Sequence, residues 1–144
     1  MYISLQHKQI NKSKMKSTIK NKVLFVLALL FGLMFINGGL DKFFHYMPPQ
    51  EGVSEKMIKA FGALMELSWL MPLVGFAEVV GGVLIIFPRT RALGALIIFP
   101  VMVGIILMSI FQNTSALPIV VVLNVILGWV IYENRNKYLN LMKK

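Results

Sequence analysis

The chain contains no cysteine. That absence removes disulfide exchange, a thiol nucleophile, an iron–sulfur cluster held by four cysteines and a thiol-based quinone-reduction cycle from the chemistry open to it. Histidine is scarce as well. His7 lies in a polar N-terminal arm and His45 just past the first long apolar run, on its opposite side, so the two cannot form a bis-histidine haem site. No Gly-x-Gly-x-x-Gly, phosphate loop or His-Glu-x-x-His motif occurs. The expectation is a protein with no intrinsic cofactor and no metal site, and not a complete enzyme by itself.

Apolar sequence is what the chain has in quantity: 57% of its 144 residues are hydrophobic, and the mean hydropathy is +0.72. These residues gather into charge-poor runs of membrane-crossing length. Val23 to Leu40 carries no charge, and Phe43 and Phe44 extend it. Leu67 to Pro88 is interrupted only by Glu78, Ala92 to Phe111 by nothing, and Ala116 to Tyr132 is the shortest run. None alternates with period two, so they read as helices rather than strands of a barrel. Four buried helices in a soluble fold would leave almost no polar sequence to cover them. The expected fold class is therefore all-α: a four-helix transmembrane bundle with spans near 22–44, 67–88, 92–111 and 116–132. A basic arm without ordered structure (1–21) precedes this 22–133 domain, and a basic tail (134–144) follows it.

Basic residues orient the bundle. Lys8, Lys12, Lys14, Lys16, Lys20 and Lys22 precede the first run, Arg89 and Arg91 lie in the second connection, and Arg135, Lys137, Lys143 and Lys144 lie in the tail. Only Lys42, Lys56 and Lys59 fall on the other side, with Asp41, Glu51, Glu55 and Glu66. The positive-inside rule then puts both termini in the cytoplasm and the 45–66 loop outside. The net charge of +9 is a topology signal, and no nucleic-acid partner is expected. Lysines ahead of an apolar stretch also describe a signal peptide, but Gly38-Gly39 lacks an Ala-x-Ala pattern, and cleavage would leave an odd number of spans. Met15 is a second candidate start.

In the outer loop Pro48-Pro49 breaks the first helix, and Ser54 can cap a second helical segment. There Met57, Phe61, Leu64 and Met65 recur at helical spacing, opposed by Glu55, Lys56, Lys59 and Glu66. Such a segment can lie at the outer interface or cover the bundle as a solvated lid. Trp69, and Trp129 with Tyr132, mark the outer and inner headgroup levels.

Polar residues within the spans are the candidate site. Glu78 lies mid-span, where an ionised carboxylate facing lipid costs a few kcal/mol or more, so it must face protein or water. Gly75 and Gly82 share its face, with Gly81 beside it. Asn124 has a matching depth in the fourth span, with Gly128 one turn on, and can meet Glu78 there. Asn37, Asp41 and His45 form a polar stripe on the first helix. Lys42 beside it either snorkels to headgroups or folds inward as counter-charge to Glu78; the depth difference then demands helix tilt or a water bridge. Gly32, Gly38 and Gly39 permit close packing in the first span, and Gly94 and Gly104 in the third, which Pro100 is expected to kink. The candidate ligand or proton site is Glu78, Asn124, Asn37, Asp41 and Lys42, and Gly39, Gly75, Gly81, Gly82 and Gly94 are the helix-packing positions; Glu78 either serves that site or, as a neutral group, hydrogen-bonds across the bundle to fix packing.

Three segments together, Asn37-Gly38-Gly39-Leu40-Asp41-Lys42-Phe43, Glu78-Val79-Val80-Gly81-Gly82-Val83-Leu84 and Arg91-Ala92-Leu93-Gly94-Ala95-Leu96, resemble the DoxX family over about residues 22 to 133. Gly39 and Lys42 match the end of that family's first span, Glu78 with Gly81 and Gly82 its second, and Arg91 the residue before its third. Pro88, where many relatives have glycine, and the Pro48–Glu66 insertion depart from the pattern. The resemblance implies a multi-pass protein of the bacterial inner membrane. It further implies an accessory role beside a membrane or peripheral oxidoreductase subunit, with quinone reached through that partner. A binding protein or transporter for a small lipophilic molecule, and an assembly factor without chemistry, are the competing classes. The lipid bilayer is a partner in every case, and the oligomeric state is open.

Overall fold

The computed structural model describes residues 1–143 and is all-α. Helix α1 spans Tyr2–Phe44, α2 Glu55–Glu66, α3 Leu70–Ile86, α4 Arg91–Phe111, α5 Leu117–Glu133 and α6 Arg135–Met142; one 3-10 turn, Thr114–Ala116, precedes α5. Three helical segments, Tyr2–Phe44, Arg91–Phe111 and Thr114–Glu133, are long and apolar enough to cross a membrane. Helices α2 and α3 meet at a 97° bend, and counting that pair as one span makes four. This is a multi-pass membrane protein.

The arm at 1–21, expected without ordered structure, is instead helical and continuous with the first span. The physical reason is local. No glycine or proline interrupts residues 2 to 31, and lysine, glutamine, leucine and methionine are good helix formers. Lys20 Nζ also reaches Glu133 Oε2 at 2.9 Å, tying the arm's end to α5. The tail likewise forms α6, held by Tyr138 donating to the Ala92 carbonyl at 2.7 Å and Lys137 donating to that of Pro88 at 2.8 Å. Helix α4 runs unbroken through Pro100.

Each long helix presents a seam of alternating three- and four-residue steps. On α1 it is Leu24, Ala28, Phe31, Phe35, Gly38 and Lys42; on α3, Met71, Gly75, Glu78, Gly82 and Ile85. Arg91, Ala95, Ile98, Met102, Ile105 and Ser109 form it on α4, and Val120, Leu123, Leu127, Val130 and Asn134 on α5. These positions are all buried or half-buried, as expected for left-handed packing of helices about +20° apart. Helix α3 packs on α1 and on α4, α4 on α5, and α5 touches α1 lightly. The apolar core is gathered toward the end that carries the arm and α6: Leu24, Phe31, Phe35, Ile85, Ala95, Ile98, Met102, Leu127 and Val130. Phe31 and Phe35 rings lie 4.8 Å apart, tilted 40°. Toward the other end the seam turns polar or small, with Gly38, Lys42, Gly75, Glu78 and Ser109.

Candidate functional site: a lysine–glutamate pair between α1 and α3

The α1–α3 contact is built on glycine. A Cβ added to Gly32 would lie 2.6 Å from the Gly82 carbonyl oxygen, and one added to Gly39 would lie 2.6 Å from that of Gly75; the reciprocal distances are 2.7 and 3.0 Å. Lipid tails are as apolar as leucine, so helix association rests on van der Waals packing and polar contacts, and small residues let backbones touch. The two glycine contacts are seven residues apart on each helix, about 10 Å. Glu78 lies between them on α3, at the centre of the helix.

Glu78 is 5% exposed, and its Oε2 accepts from Lys42 Nζ at 2.6 Å. The antiparallel register that pairs Gly39 with Gly75 and Gly32 with Gly82 sets Ile36 opposite Glu78, so Lys42 starts six residues, about 9 Å, farther outward along α1. The lysine and glutamate side chains together close that offset in a direct contact, with no bridging water. Of the two readings left open for Lys42, the structure has the inward one. The ammonium also contacts the Gly38 carbonyl at 3.4 Å. The Lys42 side chain is 21% exposed, so the pair is sheltered but not sealed.

The other predicted site residues separate. Asn124 does not meet Glu78; its Nδ2 donates to the Val120 carbonyl one turn back at 2.8 Å, which satisfies the amide within its own helix. Gly128 meets nothing that would crowd a side chain. Asn37 and Asp41 serve the outer end of α1. His45 takes a left-handed conformation (φ 51°) and turns the chain back, so that Met47 N donates to Asp41 Oδ1 at 2.7 Å. The Tyr46 hydroxyl there bonds both the carbonyl and the side-chain oxygen of Asn37. Gly81 and Gly94 belong to the α3–α4 contact: a Cβ on Gly94 would meet Ile85 N at 2.5 Å, and one on Gly81 would meet Ile98 Cγ1 at 2.6 Å.

Further polar contacts hold the ends of these helices. Arg91 is buried and caps α3, Nε donating to the Ile85 carbonyl at 3.0 Å and Nη2 to that of Ile86 at 3.2 Å, while Thr90 Oγ1 donates to the Leu84 carbonyl at 2.8 Å. A cation at a helix C-terminus satisfies orphan carbonyls and complements the dipole. Ser54 caps α2 through Met57 N and donates to the Gln112 carbonyl, fastening the outer loop to the end of α4. Tyr46 and Tyr138 act across turns that periodicity does not reveal. Among the described residues no cluster of three or more His, Asp or Glu could hold a metal ion.

The chemistry available at Lys42–Glu78 is a near-neutral pair of opposite charges with one ammonium N–H donor left over, set in an apolar surround. It can donate to a carbonyl or hydroxyl oxygen and can pass a proton between its own two groups. A 71-residue stretch is 30% identical to the uncharacterized protein YwoB of Bacillus subtilis (strain 168), covering 49% of this chain and 46% of that protein. The chain thus matches about half the length of that relative. No solved structure matches. The DoxX model matches residues 23–111, a segment that holds both halves of the ion pair, both glycine contacts and the Arg91 cap. On that match, covering well over half of its length, the chain belongs to the DoxX family.

Proposed function

We propose that this chain is a four-span accessory subunit of a redox-linked inner-membrane complex, both termini cytoplasmic, acting through the Lys42–Glu78 pair as a polar binding point. The observation that carries this reading is the 2.6 Å ammonium–carboxylate contact buried between α1 and α3. Taking two charges out of water is costly, and hydrophobic residues of similar volume often serve packing as well or better. Ionisable residues kept inside a membrane bundle mark sites of ligand or proton handling.

Helix α3 is the second span in this reading, seventeen residues with Glu78 at its centre. Helix α2, nearly perpendicular to it, lies in the outer interface. The apolar core between the pair and the arm-bearing end offers no polar path through, which favours binding over transport. The subunit role, with quinone reached through an oxidoreductase partner, follows from family association; the chain's own contribution is the pair.

Complementation of a deletion strain by Glu78→Gln, with extracted yield measured in parallel, tests the reading. Glutamine keeps size and hydrogen bonding but neither charge nor a titratable group. Normal yield with lost activity is the expected result. Normal yield with full activity would reduce the pair to a packing device.

A further inference from the structure

We infer that the Lys42–Glu78 pair is reached sideways, through a slot between the outer halves of α1 and α5, by a neutral membrane-dissolved molecule with a carbonyl head and an apolar tail. This rests on the reading of the pair as a binding point and adds its route and ligand class.

The slot follows from how two helix faces diverge. At the arm-bearing end Lys20 of α1 meets Glu133 of α5 at 2.9 Å, and Trp129 Nε1 donates to the same carboxylate at 3.2 Å. Steps of three and four residues carry that face of α5 outward through Ile126, Val122 and Ile119. Ile126 is half-buried, but Val122 is 56% and Ile119 63% exposed. Steps of seven carry the matching face of α1 from Lys20 through Leu27, half-buried, to Met34, 40% exposed. The helices are fastened at one end and uncovered toward each other at the other.

Gly38 marks where the opening meets the pair. The other glycines of the α1–α3 contact are crowded by backbone, whereas a Cβ on Gly38 would meet only Glu78 Oε2, at 3.9 Å. Space is therefore left on the slot side of the carboxylate. Lys42 has three N–H donors; Glu78 and the Gly38 carbonyl account for two, the second at a long 3.4 Å. In hydrocarbon a remaining donor requires an acceptor. The pair is near-neutral as a unit, so a neutral carbonyl oxygen answers that donor without bringing an uncompensated charge, and Met34, Val122 and Ile119 offer an apolar wall to a tail.

The test photolabels the full chain, reconstituted in lipid nanodiscs, with an alkyl ketone that carries a photoreactive diazirine in its tail, and maps adducts by mass spectrometry. Labelling should concentrate several-fold at Met34, Ile119 and Val122 over Phe99, an exposed residue of α4. It should fall to the Phe99 level in Gly38→Val, which fills the slot, and in Lys42→Met, which removes the donor; Lys42→Arg should retain part of it. If Gly38→Val does not fold by melting analysis, Val122→Trp, on an exposed surface, narrows the slot instead. Even labelling of all exposed apolar faces, the result for water at the pair and no ligand, overturns the proposal, as does enrichment indifferent to both slot-filling variants. Failure of this route with an inactive Glu78→Gln leaves the binding-point reading standing; enriched slot labelling with a fully active Glu78→Gln strikes that reading and leaves the route.

Discussion

Gly39 of α1 and Gly75 of α3 touch backbone to backbone: a Cβ on Gly39 would lie 2.6 Å from the Gly75 carbonyl oxygen, and one on Gly75 3.0 Å from that of Gly39. The contact fixes the register that brings Lys42 within reach of Glu78. Moving a flexible side chain alone cannot supply the missing space, because the nearest opposing atom at each glycine is a main-chain carbonyl oxygen. Gly39→Val and Gly82→Val should therefore each destabilise the protein by about 1–3 kcal/mol, the usual cost of overpacking. Gly104→Ala and Gly128→Ala, which meet nothing within 4 Å, should be neutral or stabilising by up to about 1 kcal/mol. Thermal melting in mild detergent checks both, and equal effects at all four positions would show that the glycine contacts are not tight.

The ion pair makes a second, non-additive prediction. Removing one partner of a buried pair leaves an uncompensated charge and typically costs about 3–5 kcal/mol, whereas replacing both by apolar residues is often close to neutral. Lys42→Met should thus be less stable than the double variant Lys42→Met with Glu78→Leu. A double variant as unstable as the sum of the singles would mean that the groups act independently. Activity should be absent from the double variant even where stability returns, which separates what the pair does for folding from what it does for function.

Much of this arrangement is readable in the sequence, and the limits have physical causes. Charge-free runs and the isolated Glu78 identify the membrane segments and the one residue that needs an internal partner. Depth along a helix is a property of Cα positions, so it leaves the Lys42 reading open; the lysine and glutamate side chains together cover the offset of about 9 Å that depth alone treats as an obstacle. Depth equally fails for Asn124, which span midpoints set level with Glu78 but whose Nδ2 donates to Val120 instead. Composition gives the N-terminal arm its polarity without revealing that an uninterrupted run of good helix formers continues the span. The turn at Tyr46 and Met47 depends on His45 adopting φ 51°, a conformation that no periodicity encodes.

Arg91 carries a third prediction. Its guanidinium bridges two consecutive carbonyls, of Ile85 and Ile86, at the end of α3. Arg91→Ala leaves both without this donor and should cost roughly 1–3 kcal/mol. Arg91→Lys should recover only part, because an ammonium lacks the planar fork that addresses two acceptors at once. Melting temperatures of the three proteins decide it, and full rescue by lysine would mean that charge at the helix end, rather than bridging, is what matters.

The orientation prediction draws on the same end of the molecule. Helix α1 is 43 residues, about 65 Å, so a bilayer core of about 30 Å can contain only half of it, and the half with six lysines lies outside hydrocarbon. Lys20 meets Glu133 at the end of α5, while Lys137 and Tyr138 of α6 hold the Pro88 and Ala92 carbonyls of the α3–α4 connection. The arm, that connection and the tail therefore share one end, which gathers the basic residues that the positive-inside rule assigns to the cytoplasm. Because the chain has no cysteine, single cysteines report without background. Substituted at Ser4 and at Asn140, they should be protected from a membrane-impermeant maleimide in intact cells and labelled after lysis, whereas one at Gln50 should be labelled in both. Labelling of Ser4→Cys and Asn140→Cys in intact cells with protection of Gln50→Cys would invert the orientation. Labelling at only one terminus would require an odd number of crossings and would remove α3 or another helix from the spans, and with it the mid-membrane position of Glu78.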